Sequence, residues 1–379
     1  MNADDPARAF RGFIEGALLP RWADRVPHPE GGFHERLDPS LAPIDLGYRR
    51  LLSQCRMLFS FAEGGVPGTQ PLVIDGFRWA AGRYFEGDRG WRFALGEGGP
   101  LPPGTRHLYA HAFALLACWA RLRVADSDEA RRIARQTLAF IDDRFRTGPP
   151  GFAPALDEGL IDLGLPREQN PQMHLFESCV LLYEQTQDVA YARMAREIAG
   201  LFLDQFLDRE TGSLIEHFRP DGSPDPIRGR LREPGHHFEW AWLIHRWLRL
   251  DRDPRAGELD EAADRLIAWA LHHGIDPGGI YDQVDVGGEV VQATRRIWPV
   301  CEALKALRFH ASVRGESAER SALERALWDL LFSRYLRPDQ AGWVEVLGGD
   351  LRPKTDYLPA TTPYHLVMAA RELSWLEGS

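Results

Sequence analysis

The chain has 379 residues, 44% of them hydrophobic, and a formal net charge of −10. A chain of this size and apolar content buries a large core, which excludes intrinsic disorder, and acidic charge with no basic stripe excludes a nucleic-acid partner. The N-terminus lacks the basic and apolar regions of a secretory signal, and the longest apolar run, Leu108 to Ala120 with His111 inside it, is too short to span a bilayer, so the chain reads as soluble and cytoplasmic with no membrane partner.

Taken in chain order, an amphipathic segment at about 6–22 precedes an apolar one at about 46–61, and the alternation then continues without a long period-2 strand. Amphipathic segments at about 76–86, 126–146, 188–207, 258–273 and 316–335 alternate with apolar ones at about 107–124, 171–186, 236–250, 299–310 and 363–375. Tyr109, His174, His236, Trp298 and His365 mark the apolar series at spacings of 62 to 67 residues, the signature of a repeated helical hairpin. Six hairpins with inner helices apolar all round and outer helices amphipathic close into a toroid. The expected fold is all-α, an (α/α)6 barrel forming one catalytic domain over 1–379, with short β excursions on one rim at 212–222, 278–288 and 342–350.

The inner helices share a start signal. Asn170-Pro171, Trp298-Pro299 and Thr362-Pro363 each place proline at the first helical position, and Pro234-Gly235 makes the same break before His236. His174, His236, Glu302 and His365 therefore fall in or near the first turn of helices that run in one direction, and they converge on one mouth of the barrel. Along the helix that starts at Pro234, a 3.6-residue period puts His236, Glu239, Trp240, Leu243 and Trp247 on one face. Glu239 is within reach to fix the tautomer of His236. The unpaired N–H dipoles of the first turn disfavour an imidazolium there, so a neutral base is expected. Core packing is the plain alternative for any one of these groups, and repetition at one helical position argues against it.

Other chemistries find little support. Only Lys305 and Lys354 among 45 basic residues are lysines, which leaves few amines for Schiff-base chemistry, and no Walker-type loop precedes a helix, so no cofactor is expected. Cys55, Cys118, Cys179 and Cys301 are widely spaced in apolar helical contexts and read as reduced core thiols; no Cys/His cluster has metal-ligand spacing, and no metal is expected.

Four segments, Asn170–Glu177 (NPQMHLFE), Pro234–Trp240 (PGHHFEW), Arg295–Glu302 (RRIWPVCE) and Tyr364-His365, resemble in type and order the motifs of the N-acylglucosamine 2-epimerase family, which includes mannose isomerases and sugar 2-epimerases. The resemblance spans about Arg56 to His365. It implies an (α/α)6 barrel and metal-free proton transfer at C2 of an open-chain sugar, with His236 and His365 as the acid/base pair and Glu239 orienting His236. It further implies a sugar pocket lined by Arg56, Tyr109, Asn170, His174, Trp298 and Glu302, to which Glu177 and the indole of Trp240 are added. Phe59 and Phe61 stand where more tryptophan is expected near Arg56, and His111 is an extra titratable group near Tyr109.

The residue types suit that chemistry. A proton on the carbon next to a carbonyl leaves through an enediolate, which needs a base near neutrality and donors for the developing oxyanion. The expected function is aldose–ketose isomerisation of D-mannose to D-fructose, with a 2-epimerase of mannose/glucose, cellobiose or N-acylglucosamine type as the alternative. A glycoside hydrolase on the same barrel would need two carboxylates from Glu177, Glu239 and Glu302. A non-catalytic binding protein would have no use for both His236 and His365. A small-molecule sugar is the expected partner, for a monomer or homodimer.

Overall fold

The chain begins with a helix interrupted by one π-helical turn, α1 (Pro6–Phe13) and α2 (Leu19–Arg25). The helices α3 (Leu51–Glu63), α4 (Gln70–Tyr84), α5 (Leu108–Val124), α6 (Asp128–Arg144), α7 (Asn170–Thr186) and α8 (Val189–Leu201) follow. After them come α9 (Pro234–Leu250), α10 (Ala256–His273), α11 (Trp298–Arg314), α12 (Ala318–Leu330) and α13 (Pro363–Glu377). The structure is a computed structural model that describes residues 5–148 and 151–377, and the expectations drawn from residues 1–4 lie outside these.

The odd-numbered helices from α3 to α13 form the inner wall. Each packs against the next, and α13 returns to α3, which closes the ring. Their sequences fit that position, because an inner helix contacts its neighbours on all sides: α9 is buried without a break from Pro234 to Trp247. The outer helices bury one stripe only, as α6 does with Ala130, Ile133, Ala134, Thr137, Leu138, Phe140 and Ile141. The last hairpin is made from the two ends of the chain, with α1 packed on α13. The (α/α)6 barrel read from the repeat is the fold of the protein.

A second sixfold pattern lies on one rim. A two- or three-residue strand leads into each inner helix, at 48–50, 106–107, 167–168, 231–232, 295–296 and 358–359. Each pairs antiparallel with a strand from the connection that follows the next outer helix, at 94–96, 155–156, 217–218, 283–285, 346–347 and 36–37 respectively. These pairings explain why the first inner helix starts at Leu51 and not near residue 46: residues 48–50 are spent on the strand, entered through Gly47 at φ +73°. They also hold six inner-helix N-termini at one level. Outer helices α6, α8 and α12 are capped by Ser127, Asp188 and Ser317, whereas outer helices α4 and α10 and inner helices α3, α5, α7, α9 and α11 have no side-chain cap.

The four cysteines are free and buried, and burial pushes their thiols up, as expected of core thiols. Among the described residues no helix is long and apolar enough to cross a membrane.

Candidate active site

At the mouth, the indole of Trp298 is flanked by two imidazoles. Its ring centroid lies 5.3 Å from His236 and 5.4 Å from His365, at interplanar angles of 33° and 32°. The packing explains the glycine after Pro234: a Cβ at Gly235 would meet Trp298 Cη2 at 2.4 Å. Pro-Gly thus starts α9 and also leaves room for the indole between the histidines.

The two histidines are held by different carboxylates and carry different charges. His236 Nδ1 donates to Glu216 Oε2 at 3.0 Å, with Glu233 a further carboxylate at 3.8 Å. Burial alone would lower His236, but Glu216 and then Glu233 outweigh it and raise the ring to about 9. Burial opposes ionisation of Glu216 as well, yet the facing His236 lowers it to about 2. At neutral pH the pair is an imidazolium on a carboxylate. His365 Nδ1 lies 2.9 Å from Glu302 Oε1, and burial, with Arg56 and Lys305 adding to it, keeps His365 well below the ordinary range, hence neutral. Neither Nε2 has a protein hydrogen-bond partner among the described residues. One face of the mouth offers a proton and the other a lone pair.

Arg56 reaches in from α3. It donates to Thr361 O at 3.2 Å and to the Tyr109 hydroxyl at 2.8 Å, and its guanidinium lies over Phe113 and Tyr364. Its Nε, Asn170 Oδ1 and Glu239 Oε1 are buried with no partner among the described residues. Buried polar atoms are nearly always paired, and unpaired ones such as these are free to bond a polar, hydroxyl-rich molecule.

The remaining expected residues divide. Tyr109 and His174 are in contact at 5.1 Å between ring centroids. His174 Nδ1 donates to Glu177 at 3.0 Å; burial keeps His174 neutral, while Glu177 stays ionised despite burial because His174 and Lys305 favour the charge. Glu177 also accepts from the Tyr364 hydroxyl, so it lies behind the pocket and supports two residues of its wall. Trp240 is not in the pocket. It stacks on Phe202 and Phe176 in the wall, and its indole N–H donates to Gln169 Oε1 at 2.6 Å. Trp247 is core, bonded to Asp253. His111 is also structural: its ring bonds His107 O and the backbone N–H of Trp91, and burial drives it down to about 3. Phe59 packs on Trp119 and Tyr364 in the wall beside Arg56.

Two expectations about His236 are corrected. Glu239 does not orient it. One turn further along α9 from the rim, Glu239 sits deeper, its Oε1 3.9 Å from His174 Nε2, and burial together with nearby Glu302 raises it well above the ordinary range, so it is a neutral acid. Nor is His236 a neutral base, because the dipole of the first turn is outweighed by two carboxylates. The residue missed by helix periodicity is Glu216, which comes from a rim connection. The signal for it was the repeat itself. Glu35, Glu216, Asp282 and Glu345 each precede a rim strand at the same place in their repeats, and the carbonyls of Glu35, Glu216 and Glu345 accept an N–H from the entry to the neighbouring inner helix.

Among the described residues, two buried trios, His174/Glu177/Glu239 and Glu239/Glu302/His365, bring donor atoms within 4.8 Å of one another and are the groups that could hold a metal. Both histidines in them bind a carboxylate through Nδ1, and the ammonium of Lys305, 2.7 Å from Glu302, is a positive charge that opposes a cation at the second trio.

A family model for N-acylglucosamine 2-epimerase (GlcNAc 2-epimerase) matches residues 31–369. A mannose-6-phosphate isomerase of Rhizobium meliloti (strain 1021) is 32% identical over 386 residues, covering 97% of this chain and 96% of its own. A D-mannose isomerase of Thermobifida fusca is 28% identical over 380 residues, covering 94% and 92%. Among solved structures, that of a D-mannose isomerase superimposes with a TM-score of 0.87 at 20% identity, covering 97% of each chain.

Proposed function

Because the chain belongs to the N-acylglucosamine 2-epimerase family and is a carbohydrate isomerase or epimerase, we propose that it interconverts D-mannose and D-fructose by proton transfer between C2 and C1 of the open-chain sugar. His365 Nε2 takes the C2 proton, while His236, as imidazolium, protonates the C1 carbonyl oxygen. The resulting cis-enediol returns its O2 proton to His236 and receives at C1 the proton now on His365, which yields the ketose and restores both histidines. Arg56 Nε and the neutral carboxyl of Glu239 are donors for the charge that develops on O1 and O2.

The observation that carries this reading is that the two histidines are held differently, His236 with Glu216 at 3.0 Å and Glu233 at 3.8 Å and His365 buried near Arg56 and Lys305, which favours charge on the first and a neutral ring on the second. Isomerisation at one face returns each to its starting state. Epimerisation takes the C2 proton to His365 and delivers another from His236, so every turnover ends with His365 charged and His236 neutral, the state that Glu216 and the burial of His365 both oppose. The names of the two relatives point the same way. One observation favours a 2-epimerase as the second reading: Trp298 has a histidine on either side, as two-face chemistry requires. The test is to incubate purified protein with mannose, glucose, cellobiose, N-acetylglucosamine and mannose 6-phosphate and to identify the products. A ketose from mannose supports the proposal, and epimers alone reject it.

A further inference from the structure

Lysine is almost absent from this chain, and one of its two lysines is buried at the floor of the pocket. Lys305 is 1% exposed, and its Nζ lies 2.7 Å from Glu302 Oε2 and 3.4 Å from the centre of the Trp242 ring. Glu302 offers its other oxygen to His365 Nδ1 at 2.9 Å. Ammonium, carboxylate and imidazole thus form one line from the floor to the mouth, carried by α11 and α13. An arginine would not serve here: its planar fork needs several acceptors, whereas this space provides one carboxylate oxygen and an aromatic face, which suit a compact ammonium.

We propose that Lys305 is a positioning residue for His365: it keeps Glu302 a carboxylate, which holds the imidazole proton on Nδ1 and leaves the Nε2 lone pair toward the substrate. The proposal rests on the reading of His365 as the base. The groups facing His365 show why a cation is needed. Arg56 comes from α3, His174 and Glu177 from α7, His236 and Glu239 from α9, and Tyr364 precedes it on α13. Three carboxyl groups, Glu177, Glu239 and Glu302, share this space. Burial raises Glu302 above its ordinary range toward the neutral acid, and Lys305 is the largest influence that limits this rise. A protonated Glu302 would donate to Nδ1 and move the imidazole proton to Nε2, which removes the lone pair the reaction uses.

The test compares wild type with Lys305→Met, Glu302→Gln and the double variant, by steady-state kinetics on mannose and by 15N NMR of the imidazoles in the free protein. In Lys305→Met, kcat is expected to fall on the order of 10- to 100-fold, the usual effect of losing an outer partner of a histidine, with KM changed by less than about twofold. His365 is expected to change from the Nδ1–H to the Nε2–H tautomer. The double variant, which leaves no unpaired ammonium, is expected within about twofold of Glu302→Gln alone, because Lys305 acts through Glu302. If Lys305→Met does not fold, the double variant decides, and losses that multiply overturn the proposal. An unchanged Nδ1–H tautomer in Lys305→Met overturns it whatever the activity. A wild type that turns over no sugar rejects the isomerase reading and leaves the NMR result to stand by itself.

Discussion

Glu216 and His236 lie 20 residues apart in sequence and 3.0 Å apart in space, and that bond gives the mouth its polarity. The carboxylate is fixed by two further donors, Gln169 Nε2 at 2.7 Å and the backbone N–H of Glu233 at 3.2 Å. Gln169 in turn accepts from Trp240, so the tryptophan expected to touch sugar is linked to His236 through a chain of three hydrogen bonds.

Glu216→Gln removes the charge that raises His236, and burial then pushes the ring down. The log kcat/KM profile of the wild type should fall above about 9, where His236 loses its proton, and the variant should lose that plateau at a lower pH. An upper limb that stays in place in Glu216→Gln would separate Glu216 from the acid.

The same pair links pH to stability. Folding raises His236 above its ordinary 6.5, so its contribution is complete below 6.5 and is lost as pH rises through about 9. Folding lowers Glu216 below its ordinary 4.5, so its share is present above 4.5 and is lost as pH falls through about 2. The melting temperature of Glu216→Gln should lie furthest below that of wild type between these limits, and the gap should narrow at pH 10. A gap constant across that range would contradict the pairing.

Because Glu239 is a neutral acid and not the partner of His236, Glu239→Gln, which preserves shape and a donor, should cost less than about 1.4 kcal/mol, a factor of ten in kcat. Glu239→Leu removes the donor and should cost more. A near-complete loss in Glu239→Gln would show that the carboxylate form is needed.

Gly235→Ala places a methyl group against Trp298, whose indole must then shift between the two histidines. Misplacement of this kind costs about 10²-fold in rate, so kcat should fall by that order while the far-UV circular dichroism is unchanged. Wild-type kcat in this variant would show that the stack does not set the geometry.

How much of this was legible in the sequence follows from what each signal depends on. The barrel and the convergence of His174, His236, Glu302 and His365 come from periodicity and helix starts, which are local. Phe202 and Phe176 claim Trp240 through tertiary packing, which no face of a helical wheel distinguishes from a pocket. Glu216 was hidden because its rim connection has no period of its own; only alignment of the repeats through Glu35, Asp282 and Glu345 brings it out. Charge was the least legible quantity. The first-turn dipole of α9 gave the wrong sign for His236 because the carboxylates that decide it come from the rim segment before α9.

The measurement that bears most directly on the account is the fate of the C2 proton of mannose in deuterated water, followed by NMR for wild type, His236→Asn and His365→Asn. One-face isomerisation predicts fructose as the product, its C1 carrying the former C2 proton or the deuteron that replaces it on the protonated His365, and a His365→Asn variant that moves no carbon-bound proton while His236→Asn still moves it slowly. Glucose labelled at C2 as the dominant product, with exchange abolished in either variant, would contradict it and establish two-face epimerisation.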